Sequence, residues 1–418
     1  MEIKRDSYLE QLISRMHNGM IKVITGMRRC GKSYLLFNIF RNYLLGRGIA
    51  PDHIISVNLE DRRNKALRDP DALLKYIDSL INGQEMHYIL LDEVQMVAEF
   101  EDVLNSFLHI PNADVYVTGS NAKFLSKDVI TEFRGRGDEI NIRPLSFNEF
   151  LSVKDGSRET LLNEYLTFGG LPQAVLMTGE GAKRKYLADL FTHTYLSDIK
   201  ERYNIQRDSD LEELIDIVAS NVGGLTNPTK LANTFATIKH SNISPETIKT
   251  YIDYLQDAFL IEKATRYDIK GKRYIATPSK YYFTDLGLRN ARLNFRQTEF
   301  THLLENCIYN ELRLRGFSVD VGQVYAFSRD EAGAQRRTTL EVDFVCNLGY
   351  RRYYVQSAYA LPTREKVVQE ERPLMKIDDS FAKYIIVEAP TPTYQTEEGI
   401  VIMNIYDFLT NRESLPTK

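Results

Sequence analysis

The chain has 418 residues, 43% hydrophobic and 26% charged, and a formal net charge of −4. That length exceeds one ordinary core and implies two or three domains, and the mildly acidic balance excludes a bulk-basic nucleic-acid binder, leaving only a local basic surface for such a role. Cys30, Cys307 and Cys346 are too few and too scattered for a disulfide framework or a zinc site.

The opening residues, MEIKRDSYLEQL, lack an apolar stretch with a cleavage site, so no signal peptide is expected. No run approaches the ~18 apolar residues of a membrane span, and a cytoplasmic protein is expected. From Met20 to Ile142, short apolar runs alternate with amphipathic stretches. The runs Ile21–Thr25, His53–Leu59, His87–Leu91, Asp114–Thr118 and Glu139–Ile142 read as strands. Ser33–Leu45 and Pro70–Ile81 read as helices, the first ended by Gly46 and Gly48. Such alternation implies a parallel α/β sheet.

Gly26-Met27-Arg28-Arg29-Cys30-Gly31-Lys32-Ser33 has the spacing GxxxxGK[ST] between a strand and a helix that continues through Tyr34. Its glycines let backbone N–H groups turn inward onto phosphates beside a helix N-terminus. Lys32 is positioned by this spacing for the β- and γ-phosphates, and the Ser33 hydroxyl for Mg²⁺. The run Tyr88-Ile89-Leu90-Leu91 then delivers Asp92 and Glu93 to the end of a buried strand. Asp92 is expected to hold the Mg²⁺ shell, and Glu93 to orient and deprotonate an attacking water. The next strand ends in Thr118-Gly119-Ser120-Asn121, where Ser120 or Asn121 is the candidate polar contact to water and γ-phosphate. Arg134 or Arg136 in Arg134-Gly135-Arg136 is the candidate transition-state cation, in cis or toward a neighbouring subunit.

Beyond Pro144 the pattern turns helical to about residue 220, interrupted by Gly169-Gly170-Leu171-Pro172. Short helices fill 211–262, and Lys263–Phe283, with Gly271 at its centre, reads as a hairpin. Helix Phe300–Leu314 and strands Glu341–Asn347, Arg352–Gln356 and Ala382–Val387 read as a further α/β module.

Together GMRRCGKS, LLDEVQ, TGSN, FRGRG, RPLSFNEFL and FGGLP resemble the AAA-type ATPases of the archaeal-ATPase/STAND neighbourhood, with an AAA_14 domain and a C-terminal DUF4143 region. The resemblance spans nearly the whole chain and is tightest in its first half. It implies an extra strand between the P-loop strand and the Asp92 strand, and places Gly169-Gly170-Leu171-Pro172 near the nucleotide. It also implies a winged-helix module and a C-terminal region similar to PD-(D/E)XK nucleases.

Leu225–Ala236, Ser244–Phe259 and the hairpin follow the winged-helix order, with Thr247–Leu260 as the recognition helix exposing Lys249 and Tyr251. Thr226 to Asn290 holds ten Lys or Arg against six Asp or Glu, with Lys270, Lys272 and Arg273 at the hairpin tip. Against the nuclease pattern, Glu305, Asp343 and Gln356 match three positions, but Ala358 stands where the lysine belongs. A degenerate, inactive module is therefore expected, with Lys366, ten residues beyond Gln356, the nearby lysine that could move inward.

The expected division is an AAA-type ATPase domain over 1–150, a helical lid or linker over 151–207, a winged helix over 208–294 and the nuclease-like module over 295–418. The expected function is an ATP-hydrolysing switch whose nucleotide state controls a DNA- or protein-binding C-terminal half. An ATP-regulated Mg²⁺-dependent nuclease and a non-catalytic ATP-binding scaffold are the alternatives. Expected ligands are ATP and Mg²⁺. Expected partners are double-stranded DNA through the winged helix, a protein, or further copies of the chain, and no membrane.

Overall fold

The computed structural model describes residues 3–119, 135–239, 243–297, 299–329, 335–389 and 391–416. The chain divides into two compact units. The first comprises Met1–Leu145, Leu171–Gln173 and Asp257–Phe259, and the second Ser146–Gly170, Ala174–Gln256 and Leu260–Lys418.

The first unit is built on five strands: β1 (Ile21–Thr25), β2 (Ile54–Asn58), β3 (His87–Asp92), β4 (Ala113–Thr118) and β5 (Gly137–Asn141). Their order is β2-β3-β4-β1-β5, and every neighbouring pair is parallel. All five C-terminal ends therefore share one edge, the edge where open α/β sheets hold ligands. Strand β4 lies between β1 and β3, where the resemblance implied an extra strand. Both β1 and β3 are buried along their whole length, which explains their unbroken apolar runs. Leu73 and Ile77 of helix Pro70–Leu80, and Val103, Leu104 and Phe107 of helix Phe100–Phe107, pack against Val23, Val57, Ile89, Leu91 and Val117. Asp69 caps the first of these helices, accepting from the Ala72 N–H at 2.9 Å, with Pro70 at its first position.

The second unit begins one residue after Leu145, because Ser146 caps a new helix, Phe147–Leu151, through a reciprocal capping box with Glu149. The expected boundary near residue 150 thus moves to 145. Helices Arg158–Phe168, Glu180–Leu190, Asp208–Ser220 and Pro245–Asp257 precede a mixed eight-stranded sheet. Its strands are β6 (Ile261–Asp268), β7 (Arg273–Phe283), β8 (Ser318–Arg329), β9 (Gln335–Leu348), β10 (Arg351–Ala358), β11 (Ala382–Val387), β12 (Tyr394–Gln395) and β13 (Val401–Asn404). The order is β12-β13-β11-β10-β9-β8-β6-β7.

This arrangement corrects the expected separation at 207 and 294. The hairpin β6–β7 belongs to the same sheet as the C-terminal strands, because β6 pairs in parallel with β8 through Arg266↔Val321, Tyr267↔Gly322 and Asp268↔Gln323. An exposed strand edge is a row of unpaired N–H and C=O groups, and β8 covers that edge of β6. The expected recognition helix is corrected as well. It ends at Asp257, and Tyr251 is buried beside Tyr254, whose ring stacks on Tyr203 at 3.5 Å. Lys249 is exposed, as are Lys270, Lys272 and Arg273 at the hairpin tip.

Candidate nucleotide site

Strand β1 runs into a tight loop and then into one continuous helix over residues 32–46, which contains a π-helical segment, Leu35–Phe40. Two glycines make the loop possible. Gly26 has φ +135°, and a Cβ there would lie 2.1 Å from the Ile142 carbonyl oxygen, so only glycine fits. Gly31 has φ +101° and opens the helix. Arg29 also has positive φ, at 63°, with its side chain exposed, while Arg28 is half-buried and Tyr34 exposed. Met27 and Cys30 are fully buried and anchor the loop from below. Arg5 braces it: its buried guanidinium donates to the Cys30 carbonyl at 3.2 Å and the Arg143 carbonyl at 2.7 Å. Pro172 lies on the other side, with its Cγ 3.8 Å from where a Gly31 Cβ would stand.

The Lys32 ammonium is buried and donates to the Gly26 and Met27 carbonyls, both at 3.0 Å. Ser33 Oγ donates to Asp92 Oδ1 at 2.9 Å, so the P-loop and the end of β3 meet through a hydroxyl and a carboxylate. Both are the hard oxygen donors that Mg²⁺ prefers, and Ser33 and Asp92 together fit that ion. Thr118, fully buried at the end of β4, donates from its hydroxyl to the same Asp92 oxygen and accepts the Glu93 backbone N–H at 3.1 Å. Burial pushes the Asp92 carboxyl above its ordinary range, against the opposing pull of the Thr118 and Ser33 hydroxyls. Glu93 has φ 55°, a left-handed conformation that bends the chain away from β3. The Gln95 side-chain amide donates to the Glu93 carboxylate.

The site therefore gathers Gly26 to Ser33, Asp92 and Glu93, as the motifs implied. Thr118, Gln95 and Arg5 were missed. Thr118 is the last residue of a strand next to β3, and the polar residues after it mask that position in the sequence. Gln95 and Arg5 carried no motif. Ser120, Asn121 and Arg134 lie outside the described residues. The Arg136 carbonyl accepts the Ile21 N–H at 2.9 Å, which fixes it at the start of β5. Since β5 runs parallel to β1, its five residues put Arg136 roughly 16 Å from the phosphate edge at ~3.3 Å per residue, too far to act in cis. In the Gly-Gly-Leu-Pro element, Gly169 has φ +71° and no room for a Cβ beside the Asp285 carboxylate, which accepts the Gly170 N–H at 2.8 Å.

Residues 18–151 match the family model described as an AAA domain, AAA_14. An uncharacterized protein of Haemophilus influenzae is 36% identical over 97% of this chain and 98% of its own length. One from Methanocaldococcus jannaschii is 31% identical over 83% of this chain and 76% of its own. The chain belongs to the AAA-type P-loop ATPase family. Among solved structures, the Aeropyrum pernix ORC1 protein in complex with DNA is matched at 12% identity, over 70% of this chain and 92% of that one, with TM-score 0.27. Residues 159–299 match a domain of unknown function, DUF8612, which replaces the expected DUF4143 assignment. No helix among the described residues of this AAA-type protein is long and apolar enough to cross a membrane. Its three cysteines are buried free thiols.

The second unit brings Glu305, Asp343 and Gln356 together around a residue the sequence reading passed over. The buried Lys280 ammonium of β7 lies 2.9 Å from Glu305 Oε1, 2.7 Å from Glu341 Oε1 and 3.9 Å from Asp343 Oδ1. Tyr282 Oη also donates to Glu305 Oε1, at 2.7 Å. Asp343 Oδ2 accepts the Ser357 N–H at 2.8 Å, and Gln356 Oε1 accepts the Asp343 N–H at 3.3 Å. Three carboxylates exceed one ammonium in charge. Burial first, and then the Glu305 charge, push Asp343 up to about 8. Lys366 pairs with Glu370 at 2.6 Å, so it does not supply the cation here.

Proposed function

We propose that this protein binds ATP with Mg²⁺, hydrolyses it, and uses the nucleotide state to change the grip of residues 146–416 on double-stranded DNA. The observation that carries the hydrolytic reading is the convergence of the Ser33 and Thr118 hydroxyls on Asp92, beside Lys32 and next to Glu93. The loop N–H groups would cradle the phosphates, and Lys32 would exchange its two carbonyls for β- and γ-phosphate oxygens. Ser33 and Asp92 would hold Mg²⁺, whose charge would offset that of the phosphates. Glu93, turned out of β3 by its left-handed backbone and steadied by Gln95, is the base that takes the proton of the attacking water. Ser120 or Asn121 would complete the water's contacts, Arg134 would meet transition-state charge, and any such role for Arg136 belongs to a second copy of the chain. The cytoplasm is the compartment proposed for this activity.

DNA is favoured as partner by the exposed Lys270, Lys272 and Arg273 at the β6–β7 tip, suited to phosphate contacts. The test is fluorescence anisotropy of a labelled duplex with ATPγS, ADP or no nucleotide. Affinity should differ between nucleotide states in the wild type and not in Lys32→Ala. Equal affinity in every state would overturn the switch.

A further inference from the structure

The Glu305, Asp343 and Gln356 cluster has the donors of a divalent-cation site, yet a cation of the chain's own already sits among them. Lys280 reaches it from β7, where it stands opposite Ala264 of β6. Its ammonium lies within 3 Å of carboxylate oxygens from two different elements, helix Phe300–Leu314 and strand β9. Three donor atoms of the cluster already have partners. Glu305 Oε1 takes both the ammonium and the Tyr282 hydroxyl, Asp343 Oδ2 takes a backbone N–H, and the Gln356 carbonyl takes another. Gly223 closes the Glu305 side, where a Cβ would come 3.0 Å from Oε1. Among the described residues, no group of three or more His, Cys, Asp or Glu could hold a metal ion.

We propose that Lys280 is a built-in replacement for a divalent cation, and that this cluster is an ionic clamp tying β7 and β9 to helix Phe300–Leu314 rather than a metal-dependent nuclease centre. A metal ion would have to displace a tethered ammonium that is 3% exposed and held at close range by two carboxylates. Removing the ammonium leaves the buried acids uncompensated, the costly way to break such a set. It also frees oxygen donors for an added ion.

The test uses nucleotide-free full-length protein in thermal melts, with EDTA or with 1 mM (about that of a typical assay) Mn²⁺. The wild type should melt at the same temperature in both. Lys280→Met should melt roughly 6–15 °C lower in EDTA and recover part of that loss in Mn²⁺. Adding Glu305→Gln to Lys280→Met should also recover part of the loss, because one uncompensated charge is gone. A Lys280→Met variant as stable as wild type would overturn the clamp. A second measurement does not depend on that variant folding: Mn²⁺ titrated into wild type and Asp343→Asn, read by electron paramagnetic resonance. Equal binding is expected, and an ion bound by wild type but lost in Asp343→Asn would overturn the proposal.

Discussion

Thr118→Val changes one atom group at the point where β3, β4 and the P-loop meet. Valine fills the same volume, so no cavity opens at this fully buried position, but two hydrogen bonds disappear. The bond to Asp92 is to a charged group and is worth about 1.5–3 kcal/mol, and the Glu93 amide is left without that acceptor. At ~1.36 kcal/mol per factor of ten, the lost positioning predicts kcat about 10- to 100-fold below wild type. A pH effect follows with a definite sign. Asp92 is already raised by burial, and the Thr118 hydroxyl is the first force opposing that rise. A carboxyl raised in the folded state holds its proton more tightly folded than unfolded, so stability falls as pH rises between its unfolded and folded values. Removing the hydroxyl extends that window upward, and moves the acid limb of activity, which needs ionised Asp92, to higher pH. Phosphate release at saturating MgATP across pH measures both effects. A variant within twofold of wild type, with an unmoved acid limb, would refute the role given to Thr118.

Glu93→Gln should lower phosphate release by ~100-fold or more while leaving ATP affinity nearly unchanged, as separate turnover and binding titrations would show. Gly26→Ala should abolish nucleotide binding and lower the melting temperature, because its Cβ would fall 2.1 Å from the Ile142 oxygen at a φ of +135°. Asp285→Ala removes the cap on the Leu288 N–H and the acceptor of the Gly170 N–H, and should cost about 1–2 kcal/mol in denaturant melts.

The nucleotide site was legible because its chemistry is local in sequence. Gly26 to Ser33 carries its own turn, and Asp92-Glu93 sits at the end of an apolar run that can only be a buried strand. The supporting shell was not. Thr118 reaches Asp92 across two adjacent strands, and Arg5 reaches Cys30 from 25 residues away, distances at which no periodicity reports. Strand β8 went unread between helix Phe300–Leu314 and β9, and with it the pairing that draws the β6–β7 hairpin into the C-terminal sheet. Lys280 was hidden for the same reason. It looked like one more residue of an alternating hairpin, and its meaning depends on Glu305, Glu341 and Asp343 arriving from elsewhere.

The hydrolytic centre proposed at Lys32, Ser33, Asp92, Thr118 and Glu93 stands or falls on turnover. Phosphate release from MgATP by the purified protein, with and without duplex DNA and beside Glu93→Gln, tests it most directly. Turnover is expected in the wild type, with a rise in the presence of DNA and loss in Glu93→Gln. Turnover that survives unchanged in Glu93→Gln would contradict it, as would no turnover by the wild type under either condition.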